Sequence, residues 1–365
     1  MKVAVACGGT GGHIFPGLAT ADVLRRRGHT VELWLAGKDV EAPAVKDWKG
    51  PVVTVRAEGF PSGFSLRGIR AGLRLLGAAW ACRRIMKKGR PDVLLAMGSY
   101  ASVGPVSAAL SLRVPVVLHE ANVLPGRAIA LFARGAAAVA GSFEETRFYL
   151  RRKDMVLTGM PIRRELEAAA AAAPAAEQRE AFAVLVMGGS RGAHKLNDIV
   201  AEALVRVHRG GHRVRAIHLS GVADEAAVKK VYEEAGVPAE VRAFVQDMAS
   251  VYAATDLAIC RSGAATCAEL AVFDVPALLV PFPFAANDHQ TVNARALEKM
   301  GAADVVPERD LGVEWLADYI LGCMRNTARL ERMRAAFKER GARNAAEALA
   351  SLVAEVGEGR HGAAA

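Results

Sequence analysis

The amino-acid sequence predicts an α/β protein made of two doubly wound parallel-sheet domains. Short apolar runs alternate with segments of helical period along most of the chain, and such alternation implies parallel strands joined by right-handed crossovers. The alternation restarts near residue 183, which gives two sets of strands rather than one long sheet. Each set opens alike, with an apolar strand running into glycines: Gly8-Gly9-Thr10-Gly11-Gly12-His13 in the first, Gly188-Gly189-Ser190-Arg191-Gly192 in the second. A length of 365 residues suits two domains. The 52% hydrophobic content supports a large core and excludes a disordered chain, a collagen-like repeat and a coiled coil.

In the first set, residues 2–7 read as a buried strand and 15–27 as a helix with Pro16 in its first turn, where a missing N–H is tolerated. Residues 30–36 and 51–55 are the next strands, 73–88 a helix, and 92–97, 115–119, 136–140 and 155–157 further strands. Gly159-Met160-Pro161 breaks regular structure and marks the junction, giving domains 1–160 and 161–343. The second set contains strands at 183–187, 214–220, 241–244, 257–260 and 277–280, with a helix over 196–209. The Ala-rich stretch 168–176 reads as a surface helix or low-complexity insertion without chemistry, and 344–356 as an amphipathic helix that packs on one of the domains.

Charge is unevenly distributed. Residues 1–160 hold 23 Lys and Arg against 11 Asp and Glu, whereas residues 161–365 hold 24 against 27. A basic half points to an anionic partner such as nucleic acid, phosphate or a lipid surface. The five cysteines are an odd, scattered set without a Cys-x-x-Cys pair, so a disulfide framework is not expected and a reducing compartment is. The N-terminal apolar run is too short for a signal peptide, and no stretch is long and apolar enough to span a bilayer. The chain is therefore expected to stay in the cytoplasm.

The glycine loops are the first candidate site. Glycines between a strand and a helix let backbone N–H groups approach an anion at the helix N-terminus. The first loop is not a clean G-x-G-x-x-G, since Ile14 stands at the last glycine position, and the second strand has no acid at its end to hold a ribose; both features argue against a nicotinamide cofactor. A third loop, Gly98 to Pro105, also follows a strand. After the strand at 257–260 come Arg261-Ser262-Gly263-Ala264-Ala265-Thr266-Cys267-Ala268-Glu269. Small residues there open a helix that can take a diphosphate, and Glu269, one turn in, can accept from ribose hydroxyls. The polar cluster Asn287-Asp288-His289-Gln290 suits a sugar, with many hydrogen-bonding groups in a short span. His119-Glu120-Ala121-Asn122 offers a base and hydrogen-bonding groups at a strand's carboxyl end. No Asp-x-Asp, His-Glu-x-x-His, P-loop or Gly-x-Ser-x-Gly motif occurs, so a metalloenzyme, a P-loop ATPase and a serine hydrolase are not expected.

At these residues the sequence resembles the MurG family of bacterial N-acetylglucosaminyltransferases, glycosyltransferase family 28. The resemblance rests on Gly8 to His13, on Glu120 and Asn122, on Gly159 to Arg163, on Gly188 to Ala193, on Cys260 to Glu269 and on the Asn-Asp-His-Gln run, in family order along nearly the whole chain. It implies the glycosyltransferase-B fold: two Rossmann-like domains facing across a cleft, with the helix at 344–356 returning to the N-terminal domain. It also implies a UDP-GlcNAc donor, an undecaprenyl-pyrophosphoryl-MurNAc-pentapeptide acceptor, and action in peptidoglycan synthesis at the cytoplasmic face of the plasma membrane, with no nucleic acid partner, no metal and no cofactor. Glu269 would hold the ribose, the main chain of Ala264, Ala265, Thr266, Cys267 and Ala268 with Ser190 the diphosphate, Val245 the uracil, and Gln290 the sugar. Thr10, Gly11, Gly12, Asn122 and Arg163 would complete the donor site from the N-terminal domain. Two positions depart from the family pattern: His289 stands where some members carry Gln, and Met160 replaces the Asn before Pro161.

The implied reaction is an inverting displacement at the anomeric carbon, with Glu120 and His13 as alternative bases. The strand-end position of Glu120 leans towards it as base, and the helix-opening loop of His13 towards an acceptor contact. Leu75, Leu76 and Trp80, set among Arg74, Arg83, Arg84, Lys87 and Lys88, suit insertion into an anionic membrane. Their pattern taken alone favours an ordinary helix facing the core. Rival readings are another glycosyltransferase of the same fold, a UDP-GlcNAc epimerase, and a non-catalytic sensor of UDP-GlcNAc.

Overall fold

The computed structural model describes residues 1–42, 45–55, 66–150, 152, 154–172, 180–189, 193–340 and 343–359. It divides into two compact units: Met1–Arg163 together with the segment from Asn344 onward, and Arg164–Arg343.

The first unit contains, in order, β1 (Lys2–Ala6), α1 (Gly11–Arg26), β2 (Thr30–Ala36), β3 (Val52–Val55), α2 (Leu66–Lys88), β4 (Val93–Ala96), α3 (Val103–Ser111), β5 (Val116–Glu120), α4 (Arg127–Phe132), β6 (Ala138–Gly141), α5 (Thr146–Leu150) and β7 (Val156–Leu157). The strands form one parallel sheet ordered β3-β2-β1-β4-β5-β6-β7. Its central strands are apolar on both faces because helices cover both. Val3, Val5, Leu33, Leu95 and Val117 pack on one side with Ile14 and Leu24 of α1, while Ala4, Trp34, Leu94 and Leu118 pack on the other with Cys82, Met86, Val106 and Ile129.

The second unit runs α6 (Arg164–Ala172), β8 (Phe182–Met187), α7 (His194–Arg209), β9 (Val214–Leu219), α8 (Glu225–Ala235), β10 (Ala239–Arg242), α9 (Met248–Ala253), β11 (Leu257–Cys260), α10 (Ala264–Val272), β12 (Ala277–Leu279), α11 (His289–Lys299), β13 (Ala303–Val305), α12 (Val313–Arg325) and α13 (Thr327–Arg340). Its parallel sheet is ordered β10-β9-β8-β11-β12-β13. A buried polar network pins the start of α7: Asn197 donates to the Ser220 carbonyl at 2.9 Å and to Asp224 at 2.7 Å, and accepts from His218 Nε2 at 3.1 Å. Tyr232 closes the network by donating to His218 Nδ1 at 3.0 Å. Burial pushes the His218 pKa down to about 3, so this imidazole is neutral.

The last helix, α14 (Ala345–Gly357), belongs to the first unit. Leu349, Ala350 and Val353 join the core on the α1 side, and Glu347 pairs with Arg26 and Arg27 at the end of α1. All five cysteines are buried free thiols. A Cβ on Gly17 would lie 2.3 Å from the Cys7 Cβ, so only glycine lets α1 sit this close to β1.

Several elements differ from the sequence reading. Helix α1 starts at Gly11, not residue 15, because the Thr10 carbonyl already accepts from the His13 and Ile14 amides. Pro16 therefore lies a turn and a half into the helix. Strand β10 lies two residues earlier than read; it is an edge strand with three of its four residues exposed, so apolar patterning marks it poorly. Strand β13, three residues at the other edge, carries too short a pattern to register. Part of the Ala-rich stretch, up to Ala172, forms α6, with Leu166 buried; residues 173–176 lie outside the described residues.

Candidate active site

In an open parallel sheet, ligands bind beyond the carboxyl ends of the strands where strand order reverses. That point lies between β1 and β4 in the first unit and between β8 and β11 in the second. The glycine loops after β1 and β8 and the start of α10 after β11 lie at these two points, whereas Glu120 ends β5, Val245 follows β10 and Gln290 opens α11.

In the first unit the β1–α1 loop is braced from two sides. The Gly9 amide donates to Asp39 Oδ2 at 2.6 Å, and Ser99 Oγ donates to the Gly8 carbonyl at 2.6 Å while accepting from the Ala101 amide at 3.1 Å. Gly9 has φ +121°, and a Cβ there would lie 2.6 Å from Ser99 Oγ, so the close approach requires glycine. Asp39 and Ser99 were missed in the sequence. Asp39 sits three residues beyond β2, where an acid was judged absent, but its buried carboxylate turns back to the glycine loop rather than outward. The amides of Gly11 and Gly12 open α1, a helix whose N-terminus no side chain caps. Thr10 is extended, and its Oγ1 lies 2.9 Å from His13 Nδ1. Burial lowers the His13 pKa to about 4, partly opposed by the negative charge of Asp39. Arg163 lies over the Phe15 ring, 5.4 Å from its centre, which brings it to the same turn of α1.

Glu120 closes the loop after β5. One oxygen accepts from the Asn122 amide at 2.9 Å and Asn122 Nδ2 at 3.3 Å; the other accepts from the Gly126 amide at 2.8 Å. The carboxyl group is buried, which raises its pKa against the lowering pull of these bonds. Glu120 and Asn122 are thus brought together as a loop clamp. His119 points into the core and donates from Nε2 to the Gly159 carbonyl at 2.9 Å.

In the second unit Gly263 precedes α10 with no side-chain cap, leaving the Ala264, Ala265 and Thr266 amides at the open end. The sequence reading extended this set to Cys267 and Ala268. The Cys267 amide is already bonded to the Gly263 carbonyl at 2.9 Å, and its side chain is buried. Regular helical bonding likewise takes the Ala268 amide. Glu269 follows on the same helix and accepts from the Tyr252 hydroxyl at 2.7 Å. Gln290, in the first turn of α11, is held by its own carbonyl: Oε1 accepts from the Phe282 amide at 3.0 Å and the Ser262 amide at 3.3 Å. This leaves the NH₂ group as the donor end of the amide. His289 donates from Nδ1 to the Ala286 carbonyl at 2.7 Å. Val245 is half-buried in the loop between β10 and α9. Gly188 and Gly189 follow β8, but Ser190 lies outside the described residues.

Arg261, also unread in the sequence, is 6% exposed, donates to the Val280 and Pro281 carbonyls, and pairs with Glu308. Its apolar surroundings are invisible to local pattern, since Glu308 is 47 residues away.

On α2, Leu76 and Trp80 are 68% and 62% exposed, with the Arg84 guanidinium 5.0 Å from the Trp80 ring centre. Leu75 is half-buried and shares a helix side with buried Cys82 and Met86. The core-facing reading thus applies to Leu75 and not to its two neighbours. Among the described residues no helix is long and apolar enough to cross a membrane. Among the same residues no group of three or more His, Cys, Asp or Glu could hold a metal ion.

Residues 3–141 match the glycosyltransferase family 28 N-terminal domain and residues 183–349 its C-terminal domain. The chain is 37% identical over 352 residues to the UDP-N-acetylglucosamine–N-acetylmuramyl-(pentapeptide) pyrophosphoryl-undecaprenol N-acetylglucosamine transferase of Geobacter sulfurreducens, covering 96% of this chain and 97% of that protein. It is 38% identical to the transferase of the same name from Syntrophotalea carbinolica, covering 95% and 96%. Among solved structures it is similar to Acinetobacter baumannii MurG, with a TM-score of 0.81 and 27% identity over 97% of this chain and all of the other. The UDP-GlcNAc 2-epimerase of Neisseria meningitidis shares the fold at a TM-score of 0.68, but only 12% identity over 97% of this chain. Two parallel-sheet domains of the glycosyltransferase-B type and 37–38% identity over nearly the full length of these transferases agree: the chain belongs to the MurG family, glycosyltransferase family 28.

Proposed function

We infer that this chain transfers GlcNAc from UDP-GlcNAc to the MurNAc of undecaprenyl-pyrophosphoryl-MurNAc-pentapeptide, a step of peptidoglycan synthesis. The observation that carries the donor assignment is the grouping beyond β11: an uncapped helix N-terminus, a carboxylate one turn on, and the Gln290 amide locked by its carbonyl oxygen. These match a diphosphate, a ribose and a sugar in turn. The acceptor is the one named for the full-length relatives. Val245 contacts uracil through its main chain and Ser190 joins the diphosphate site. Thr10, Gly11, Gly12, Asn122 and Arg163 are assigned to the donor as well.

The acceptor hydroxyl attacks the anomeric carbon, the bond from that carbon to the UDP oxygen breaks, and configuration inverts from α to β. The hydroxyl proton passes to a base, and the charge that develops on UDP is met by the amides at the start of α10. Of the two base candidates, His13 fits better. Its imidazole is neutral at pH 7, whereas both oxygens of Glu120 are occupied by amides of its own loop. Glu120 then acts as a positioning residue that sets Asn122.

Incubating the protein with labelled UDP-GlcNAc, with and without lipid-linked acceptor, tests the reading. Label should move to the lipid only when acceptor is present. Epimerised sugar without acceptor, or binding without turnover, would overturn it. Glu269→Ala should weaken UDP-GlcNAc binding by about 1.5–3 kcal/mol, the range for a hydrogen bond to a charged group. Calorimetry showing unchanged affinity would remove the ribose assignment.

The enzyme works as a peripheral protein at the cytoplasmic face of the plasma membrane, held by Leu76 and Trp80 amid the basic charge of α2, with Leu75 bracing them from the core side. Replacing Leu76 and Trp80 with Ser should lower affinity for anionic vesicles about 100-fold or more, since each of the two inserted apolar side chains contributes roughly 1.5–3 kcal/mol. Turnover of a soluble acceptor should be unchanged. Equal vesicle binding by the variant and the parent would exclude this surface.

A further inference from the structure

Tyr252 is a buried titratable side chain beside the donor-binding helix, and the mechanism above leaves it without a task. It is 2% exposed, held on the short helix α9, with its ring 5.1 Å from that of Phe273. An aromatic ring packs as well without a hydroxyl, and a buried hydroxyl must find a partner. Two acceptors lie within reach: Met187 Sδ at 4.0 Å and Glu269 Oε2 at 2.7 Å. The short bond to the carboxylate dominates, because a charge-assisted O–H···O⁻ contact is much stronger than one to a thioether.

We propose that Tyr252 is the positioning residue that aims Glu269 at the donor ribose. The proposal rests on the ribose reading of Glu269. A glutamate has three side-chain torsions, and freezing them on binding costs free energy that a preset bond removes. The Tyr252 hydroxyl fixes Oε2 from a rigid, buried platform, so the carboxylate meets the ribose diol already oriented. Burial, with the nearby Glu269 charge, holds the phenol far above its ordinary pKa, so it donates at every working pH.

Tyr252→Phe keeps the ring and removes only the donor. The variant should raise the Kd for UDP about tenfold, the size of one hydrogen bond to a charged group. Affinity for 2′,3′-dideoxy-UDP, which lacks the diol, should stay within about twofold of the parent's. KM for UDP-GlcNAc should rise with kcat nearly unchanged, because the lost contact is the same in ground and transition states. In a Glu269→Ala background, Tyr252→Phe should have no further effect on UDP binding. If Glu269→Ala weakens UDP while Tyr252→Phe does not, the positioning role is wrong and the ribose reading stands. If Glu269→Ala itself leaves UDP binding unchanged, the ribose reading fails and takes this proposal with it. Equal losses for both nucleotides, or a variant that does not fold, would make the hydroxyl a purely structural group.

Discussion

His13→Ala is expected to lower kcat by about 10²–10⁴-fold, the usual contribution of a general base. The loss should appear with lipid-linked acceptor and with one lacking the pyrophosphate, since a base serves the reacting hydroxyl in both. The argument is one of proton inventory. Burial holds the His13 pKa at about 4, so the ring is unprotonated throughout the neutral range. For Nε2 to accept the hydroxyl proton, Nδ1 must carry the other hydrogen and donate it to Thr10 Oγ1, 2.9 Å away. The sign of the pH dependence follows. A base is lost on protonation, and a lowered pKa moves that loss to lower pH, so kcat/KM should hold to about pH 5 and fall nearer 4. An acid limb centred at 6.5 would contradict this environment. Glu120→Gln should act differently. Its new NH₂ group must face an amide donor of the 120–126 loop, so about 1–3 kcal/mol of stability is lost with a smaller fall in kcat. Full kcat in His13→Ala, or a larger loss in Glu120→Gln at unchanged Tm, would reverse the assignment.

Glu308→Ala is expected to destabilise the second unit by about 3–5 kcal/mol, because it leaves the Arg261 guanidinium buried without its counter-charge. The side chains of the pair are only 8% and 14% exposed, so water does little to screen them. Arginine cannot shed its proton to escape the cost. Calorimetry should show a Tm lower by roughly 10 °C for a domain of this size. Replacing both partners with apolar residues (Arg261→Met with Glu308→Leu) should recover much of that loss, since no charge is then stranded. The single variant should also raise KM for UDP-GlcNAc. Arg261 holds the Val280 and Pro281 carbonyls, and the next amide, Phe282, fixes Gln290. A Glu308→Ala protein as stable as the parent would show that the pair contributes nothing.

The sequence by itself determined the two parallel sheets and the positions of nearly all strands, and it pointed to the glycine loops and Glu269 as candidate places for a nucleotide sugar. These signals are local: apolar runs of strand length, glycines between strand and helix, and a carboxylate one turn into a helix. Even there, helix bonding decided a detail, since it withdrew the Cys267 and Ala268 amides from the diphosphate set. Tertiary structure alone decided the rest, and for one physical reason. A side chain's chemistry depends on which partners the fold brings to it and how much water it removes. Sequence position leaned towards Glu120 as the base, but the fold gives Glu120 three amide partners and His13 a half-buried ring whose pKa is lowered to about 4. Leu75, Leu76 and Trp80 read alike until helix packing turned Leu75 towards the core and the other two into solvent. Asp39 reaches Gly9 across 30 residues, Tyr252 reaches Glu269 across 17, and Arg261 reaches Glu308 across 47. No local pattern records such pairs, because the sheet, not the chain, makes them neighbours.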